Sequence, residues 1–258
     1  DYCIIEAGMG GRLDATTALD YKACLITNVG LDHTEYLGDT FEQIAYEKSG
    51  VFKPNVPALT TEDKPECQKV MELVADYMKT PLCFIDCQET DVLRWNGMTF
   101  HLNPPLYQAK NLSLALETLN VLGIWLEENE IQQVIDHFKW AGRYMVLRKD
   151  PLVLLDGAHN VHGITALTQS LKDFTGKIYF SVLKEKDAPH MIELLQSISK
   201  DITLVEISSA RLYPLEKLGY PIITVDELIS RLLDTKEDSL LCGSLYYVGE
   251  VLEKWGNV

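Results

Sequence analysis

Positive charge is scarce in this chain. Lys and Arg total 23 against 38 Asp and Glu, a formal net charge of −15 over 258 residues. So negative a surface repels phosphate backbones and anionic membranes, which disfavours nucleic-acid and membrane partners. A phosphorylated ligand would need a local basic site or a bound Mg²⁺. CxxC pairs are also lacking among the six cysteines (Cys3, Cys24, Cys67, Cys83, Cys87, Cys242). Cys83 and Cys87 resemble half of a zinc site, but no second Cys/His pair stands at finger spacing. Buried free thiols in a reducing cytosol are the expectation, and with them a cytoplasmic location. No apolar run reaches transmembrane length, and the opening residues do not read as a signal peptide. Two nucleotide-binding patterns are missing as well. Gly8-x-Gly10-Gly11 has Leu13 where the dinucleotide fingerprint needs its third glycine, and Gly176-Lys177 runs into Ile178 rather than Ser or Thr.

What is present suits a globular α/β protein. Hydrophobic residues make up 47% and charged ones 24%, a composition that supports a buried core without disulfide or metal staples. Residues 2–5 and 23–27 read as short buried strands. Thr40-Phe41-Glu42-Gln43 opens a capping-box helix running to Gly50. Helices are expected over residues 66–78, 110–126 and 130–140, with a hairpin at Asn96-Gly97. On the 130–140 helix, Ile131, Val134, Ile135 and Phe138 share one face. From residue 144 onward, apolar runs at 152–155, 178–182, 203–207, 222–225 and 240–242 alternate with helical patterns. That rhythm implies a mostly parallel sheet with helices on both faces. Residues 144–147 are expected to pair with 152–155, and the domain boundary falls at 141/142.

In parallel sheets, ligands bind beyond the C-terminal ends of the strands. Polar clusters sit at four such ends: Glu6; Asn28 with Asp32-His33; Asp156 through Asn160; and Gly243-Ser244. Each also has an ordinary reading. Glu6 suits a solvated strand end, and His33 a loop histidine bonded to Asp32. Asp156 and Asn160 suit helix caps, as does Asn111 for its long helix. Lys48 suits a helix C-terminus, where its charge complements the dipole. Arg143 has many surface acids to pair with.

Taken in order, however, residues 6–16 (EAGMGGRLDAT), 27–34 (TNVGLDHT), 47–52 (EKSGVF), Gly142-Arg143 and 155–160 (LDGAHN) resemble the folylpolyglutamate synthase/dihydrofolate synthase family, a branch of the ATP-dependent Mur ligases. The similarity continues to Gly243-Ser244-Leu245-Tyr246. It implies a Mur-ligase-type α/β fold: the remainder of a P-loop ATPase domain over residues 1–141, then a Rossmann-like C-terminal domain over 142–258. It implies ATP and Mg²⁺ as cofactors, with L-glutamate and a folate or dihydropteroate as substrates. ATP phosphorylates the pterin-bearing carboxylate, and the glutamate amine then displaces phosphate.

By the same resemblance, Glu6, His33 and Lys48 are metal residues, with Lys48 carried as a carbamate. Asn111, Arg143 and Asp156 are nucleotide ligands. Arg12, Leu13 and Asp14 lie beside the pterin, and His159 and Ser244 on the glutamate side. Lys48, His159 and Asp156 are the candidates for catalysis. Thr17 departs from the family's usual Asn. The family's phosphate-binding loop precedes the Glu6 strand and is not found here. The chain is therefore expected to begin partway through a domain, to be inactive by itself as a fragment or binding remnant, and to self-associate through an apolar edge at residues 3–5, the complete protein being a monomer. A peptidoglycan-precursor Mur ligase shares the scaffold, although GRLDAT and DGAHN favour folate.

Overall fold

Short apolar segments that alternate between two faces organise both halves of the molecule. The computed structural model describes residues 2–103 and 105–256. The chain divides into two compact units, Asp1–Asp136 and His137–Val258, a few residues ahead of the 141/142 boundary read from the sequence.

In the first unit, a 3-10 turn at Ala15–Ala18 leads to β1 (Cys24–Ile26), α1 (Thr34–Leu37), α2 (Phe41–Ser49), β2 (Ala58–Thr60), α3 (Pro65–Met78) and β3 (Leu82–Phe84). The three strands form a parallel sheet in the order β1-β2-β3. Cys24, Ile26 and Ala58 meet Ile44 and Ala45 of α2 and Cys67, Met71 and Ala75 of α3 in one core. The capping box forms as expected, with Thr40 and Gln43 each bonding the other's main chain. A hairpin follows, β4 (Val92–Trp95) against β5 (Met98–His101). Asn96 and Gly97 both have positive φ (47° and 83°), the backbone that a two-residue turn of matching twist requires. Leu93 and Phe100 pack with Leu116 of α4 (Gln108–Val121) and Ile131 of α5 (Glu128–His137).

The second unit contains β6 (Met145–Lys149), β7 (Leu152–Asp156), α6 (Val161–Ser170), β8 (Lys177–Ser181), α7 (Ala188–Leu195), β9 (Ile202–Glu206), β10 (Ile222–Thr224), α8 (Val225–Asp234), β11 (Ser239–Gly243) and α9 (Leu245–Trp255). Its six strands run in the order β10-β9-β8-β11-β7-β6, parallel except for β6 at the edge. Strand periodicity sorts the core into two layers. Leu154, Ile178, Phe180, Leu204 and Leu240 face α6 and α7, whereas Val153, Leu155, Tyr179, Val205 and Leu241 face α8 and α9. The order reverses around β11, which lies between β7 and β8. Loops from three strand ends therefore gather at the place where such sheets hold ligands.

Three expectations change. Residues 2–5 form no strand, and Ile4 is 95% exposed. A strand exists only through a ladder, and among the described residues β1 pairs with β2 alone. Helix α4 stops at Val121 because Gly123 turns left-handed (φ 69°). Of the apolar face expected on the following helix, Ile131 and Ile135 pack while Val134 and Phe138 remain exposed. No helix among the described residues is long and apolar enough to cross a membrane.

Gly243 has a φ of 122°, and a Cβ there would lie 1.9 Å from the Ser181 carbonyl oxygen. Gly243→Ala is therefore expected to destabilise the second unit by about 3 kcal/mol or more. Urea unfolding followed by circular dichroism should show the shift, and a midpoint equal to the parent's would contradict it.

Candidate functional site

The GMGGR segment docks on the end of α2 through main chain and side chain together. Arg12 donates its main-chain N–H to the Glu47 carbonyl at 2.8 Å, and its guanidinium reaches Glu47 Oε1 at 2.8 and 3.0 Å. Gly50 permits this approach, since a Cβ would stand 2.2 Å from Arg12 Cα. The sequence reading treated Gly50 as a helix stop, yet its φ of −62° is ordinary. Its lack of a side chain is what matters.

Asp14 closes the loop. One of its oxygens accepts the N–H groups of Gly8 and Met9 at 2.8 and 3.0 Å, and the other accepts the Thr16 N–H and hydroxyl. These bonds pull its carboxyl down to about 2. Thr17, the departure from the family pattern, donates its hydroxyl to the Gly11 carbonyl, and its own carbonyl accepts Lys53 Nζ. Arg12 and Asp14 thus shape the loop, while Leu13, 81% exposed, projects from it.

Lys48 lies in the last turn of α2, half-buried. Burial lowers its pKa, and the nearby Asp32 carboxylate partly opposes the shift. Asp32 Oδ1 also accepts the His33 N–H at 2.9 Å, in a turn where His33 is left-handed (φ 52°). Asp32 therefore acts on both the His33 main chain and the Lys48 charge. Glu6 and His33 are both exposed. Among the described residues, no hydrogen bond or ion pair links Glu6, His33 and Lys48 to one another, and no three His, Cys, Asp or Glu side chains form a ready metal cluster. Asn111 does not cap its helix. It lies exposed in the first turn of α4, its Nδ2 donating to Gln108 Oε1 at 3.1 Å. A cavity of about 410 Å³ lies against residues 86–94, and none of the expected site residues lines it.

In the second unit, three candidates gather around Gly157. Asp156 is buried at the end of β7 and accepts the N–H groups of Tyr144 and Ala158, each at 2.7 Å. Burial raises its pKa, while those two bonds, Arg143 and His159 hold it down. Asp156 therefore does not cap α6. Asn160 does, accepting the Gly163 N–H. Arg143 donates to the Gly157 carbonyl at 2.9 Å, not to a surface acid. His159 Nδ1 lies 2.9 Å from the same carbonyl, so Nδ1 is the nitrogen that donates there. Ser244 is buried at the start of α9. Its N–H donates to the Ser181 carbonyl at 2.9 Å, and its Oγ accepts the Tyr246 N–H.

Glu47 and Lys53 were missed by the sequence reading. Glu47 stands beside Lys48 within EKSGVF, so the segment was visible but not its partner. Nothing local marks Lys53, whose acceptor lies 36 residues away.

The Asp14 geometry carries a pH prediction. A carboxyl held near 2 instead of 3.8 stabilises the loop above about pH 4, and that contribution is lost as pH falls through about 2. Carboxyl ¹³C titration should place its midpoint near 2, and one near 3.8 would contradict the bonding. Asp14→Asn should speed hydrogen exchange at the Gly8 and Met9 amides.

Comparison with known proteins follows this geometry. Residues 1–102 match the Mur ligase middle domain. The dihydrofolate synthase/folylpolyglutamate synthase of Bacillus subtilis is 28% identical over 98% of this chain and 67% of its own length. That of Buchnera aphidicola from Acyrthosiphon pisum is 33% identical over 98% and 66%. The structure of Escherichia coli FolC in complex with ADP superposes with a TM-score of 0.84 at 29% identity, covering 97% of this chain and 66% of that one. A bifunctional folylpolyglutamate synthase/dihydrofolate synthase with Mn, AMPPNP and L-glutamate bound gives 0.82 at 26% identity, with the same coverage. The chain spans about two thirds or less of the length of the relatives it matches. By sequence and by fold, it is a homologue of the folylpolyglutamate/dihydrofolate synthases, with a Mur ligase middle domain at its start.

Proposed function

We propose that the protein is an ATP- and Mg²⁺-dependent ligase that joins L-glutamate to folates, with dihydropteroate as a second acceptor. The observation that carries this reading is the half-buried Lys48 near the Asp32 carboxylate, its pKa lowered by burial. An ammonium there would repel a cation. A neutral amine can take up CO₂ and present a carboxylate instead. Glu6, His33 and a modified Lys48 would be the groups to hold a divalent ion, the two carboxylates suiting a hard ion and the His33 imidazole being its less usual ligand. When bound, the ion neutralises phosphate charge. The relatives' names and the ADP in the E. coli neighbour support the same reading.

Chemically, a carboxylate oxygen of the folate attacks the terminal phosphorus of ATP and ADP leaves. The glutamate amine then attacks the acyl carbon and phosphate departs. Arg143, fixed on a neutral carbonyl, is suited to an anionic phosphate, and Asn111 to the nucleotide base. Asp156 sets the backbone turn that carries both Gly157 and His159. With Nδ1 committed to a carbonyl, His159 Nε2 is the basic nitrogen that takes the amine proton, and Ser244 binds glutamate. Leu13 presents an apolar side chain to the pterin. The first unit is read as the central ATP-binding domain and the second as the C-terminal ligase domain. The six free cysteines suit a reducing, cytoplasmic setting.

In the protein that carries this chain, Glu6→Ala or Lys48→Ala is expected to lower folate- and glutamate-dependent ADP formation by about a hundredfold or more. Near-parent turnover would refute the assignment. Labelling with ¹³CO₂ should add a carbonyl carbon resonance that the Lys48→Ala protein lacks.

A further inference from the structure

We propose that Glu62 is a positioning residue that holds the metal loop and the nucleotide helix of the first unit in register. The proposal rests on the reading of His33 and Asn111 above. Glu62 follows β2, and its side chain is wholly buried. Oε2 accepts the Val29 N–H. Oε1 accepts the N–H groups of Asp63 and Lys64 at 3.1 and 2.9 Å, and Lys64 Nζ at 3.1 Å. Lys64 Nζ makes a second bond, to the Val29 carbonyl at 3.0 Å. Glu62 and Lys64 therefore hold both main-chain polar groups of Val29. Thr61 Oγ1 adds a bond to the Thr27 carbonyl at 2.7 Å.

Residues 27–29 lie past the end of β1, where no strand ladder among the described residues holds them. Side chains from the end of β2 take the ladder's place. Three and four residues further on stand Asp32 and His33, so the position of this turn is inherited from the knot. A second arm runs the other way. Asp63 Oδ2 accepts Lys110 Nζ at 2.7 Å, and Lys110 precedes Asn111 in the first turn of α4. Gln68 of α3 donates to the Glu62 carbonyl at 2.9 Å, tying a third element in. Four consecutive residues, 61–64, thus tie together the loop bearing His33, the helix bearing Asn111, and α3.

Burying a carboxylate is costly, and a well-packed apolar side chain often stabilises a fold as well or better. What an apolar residue cannot do is hold a specified N–H and, through a lysine, the carbonyl of the same residue. Fixing the first ligands through such outer partners is a general requirement of metal sites.

Three variants test this: Glu62→Ala removes the knot, Glu62→Gln keeps an acceptor for Val29, and Asp63→Ala cuts only the arm to α4. Hydrogen exchange should rise about tenfold or more over residues 27–33 in Glu62→Ala and return most of the way in Glu62→Gln. The second unit should keep the parent's exchange. Mn²⁺ affinity by paramagnetic relaxation should fall about tenfold in Glu62→Ala, whereas Asp63→Ala should weaken ADP binding with Mn²⁺ affinity held. Parent-like exchange over residues 27–33 in Glu62→Ala overturns the proposal, as does opened exchange with unchanged Mn²⁺ affinity. Should Glu62→Ala fail to fold, the Asp63→Ala split between ADP and Mn²⁺ decides. A parent protein that binds neither ligand overturns the functional reading instead, leaving exchange over residues 27–33 to judge the knot.

Discussion

Parallel strands all end at one edge of their sheet, and the chain leaves that edge with main-chain groups that no ladder can satisfy. In this protein carboxylates satisfy them. Beyond β1 and β7, Glu62 accepts the N–H groups of Val29, Asp63 and Lys64, and Asp156 those of Tyr144 and Ala158; Asp14 does the same for Gly8, Met9 and Thr16 in a loop that follows no strand among the described residues. Each carboxylate fixes a loop that carries candidate chemistry, so the loops are as rigid as these bonds allow. Removing such an acceptor leaves several donors unpaired at once, and that is why the substitution is felt beyond the residue replaced.

Burial decides how such a carboxylate titrates. Asp14 is only partly buried, so its four hydrogen bonds outweigh a smaller desolvation and its carboxyl falls to about 2. Asp156 accepts comparable bonds and has Arg143 and His159 nearby, yet its pKa is raised because desolvation outweighs them. Lys48 follows the same logic with the opposite charge. Burial outweighs the attraction of Asp32 and favours the neutral amine. Similar partners thus give opposite shifts in different surroundings, and a list of neighbours without their depth would assign Asp156 wrongly.

This contrast explains what was legible in the sequence. Elements set by local rules read well: the Thr40–Gln43 capping box, the Asn96-Gly97 turn and the apolar alternation through 152–155 and 240–242 all formed where their residues stand. Residues 2–5 did not form a strand, because strand identity depends on a partner that a local run cannot supply. Among the site candidates, residue types and their places at strand ends were visible. Their commitments were not. The structure turns Arg12 and Asp14 inward onto the loop, through contacts 35 residues away in one case and within the turn in the other. Glu62 obeys the rule that flagged Glu6 and Asp156, a carboxylate beyond a parallel strand, but the strand before it, Ala58–Thr60, was not read from the sequence.

Charge distribution adds a final constraint on ligand choice. With a net charge of −15, the far field repels the phosphates and carboxylates that the proposed reaction brings together. Binding must then rely on positive groups whose charge is not already consumed. Arg12 is spent on Glu47, and Lys110 on Asp63. Arg143 differs, because its guanidinium is held by a carbonyl that orients it without cancelling it. Arg143 can therefore offer an oriented positive charge within an acidic protein, but one guanidinium does not balance a nucleoside triphosphate. On the reading proposed above, a bound divalent cation would supply the remaining neutralisation.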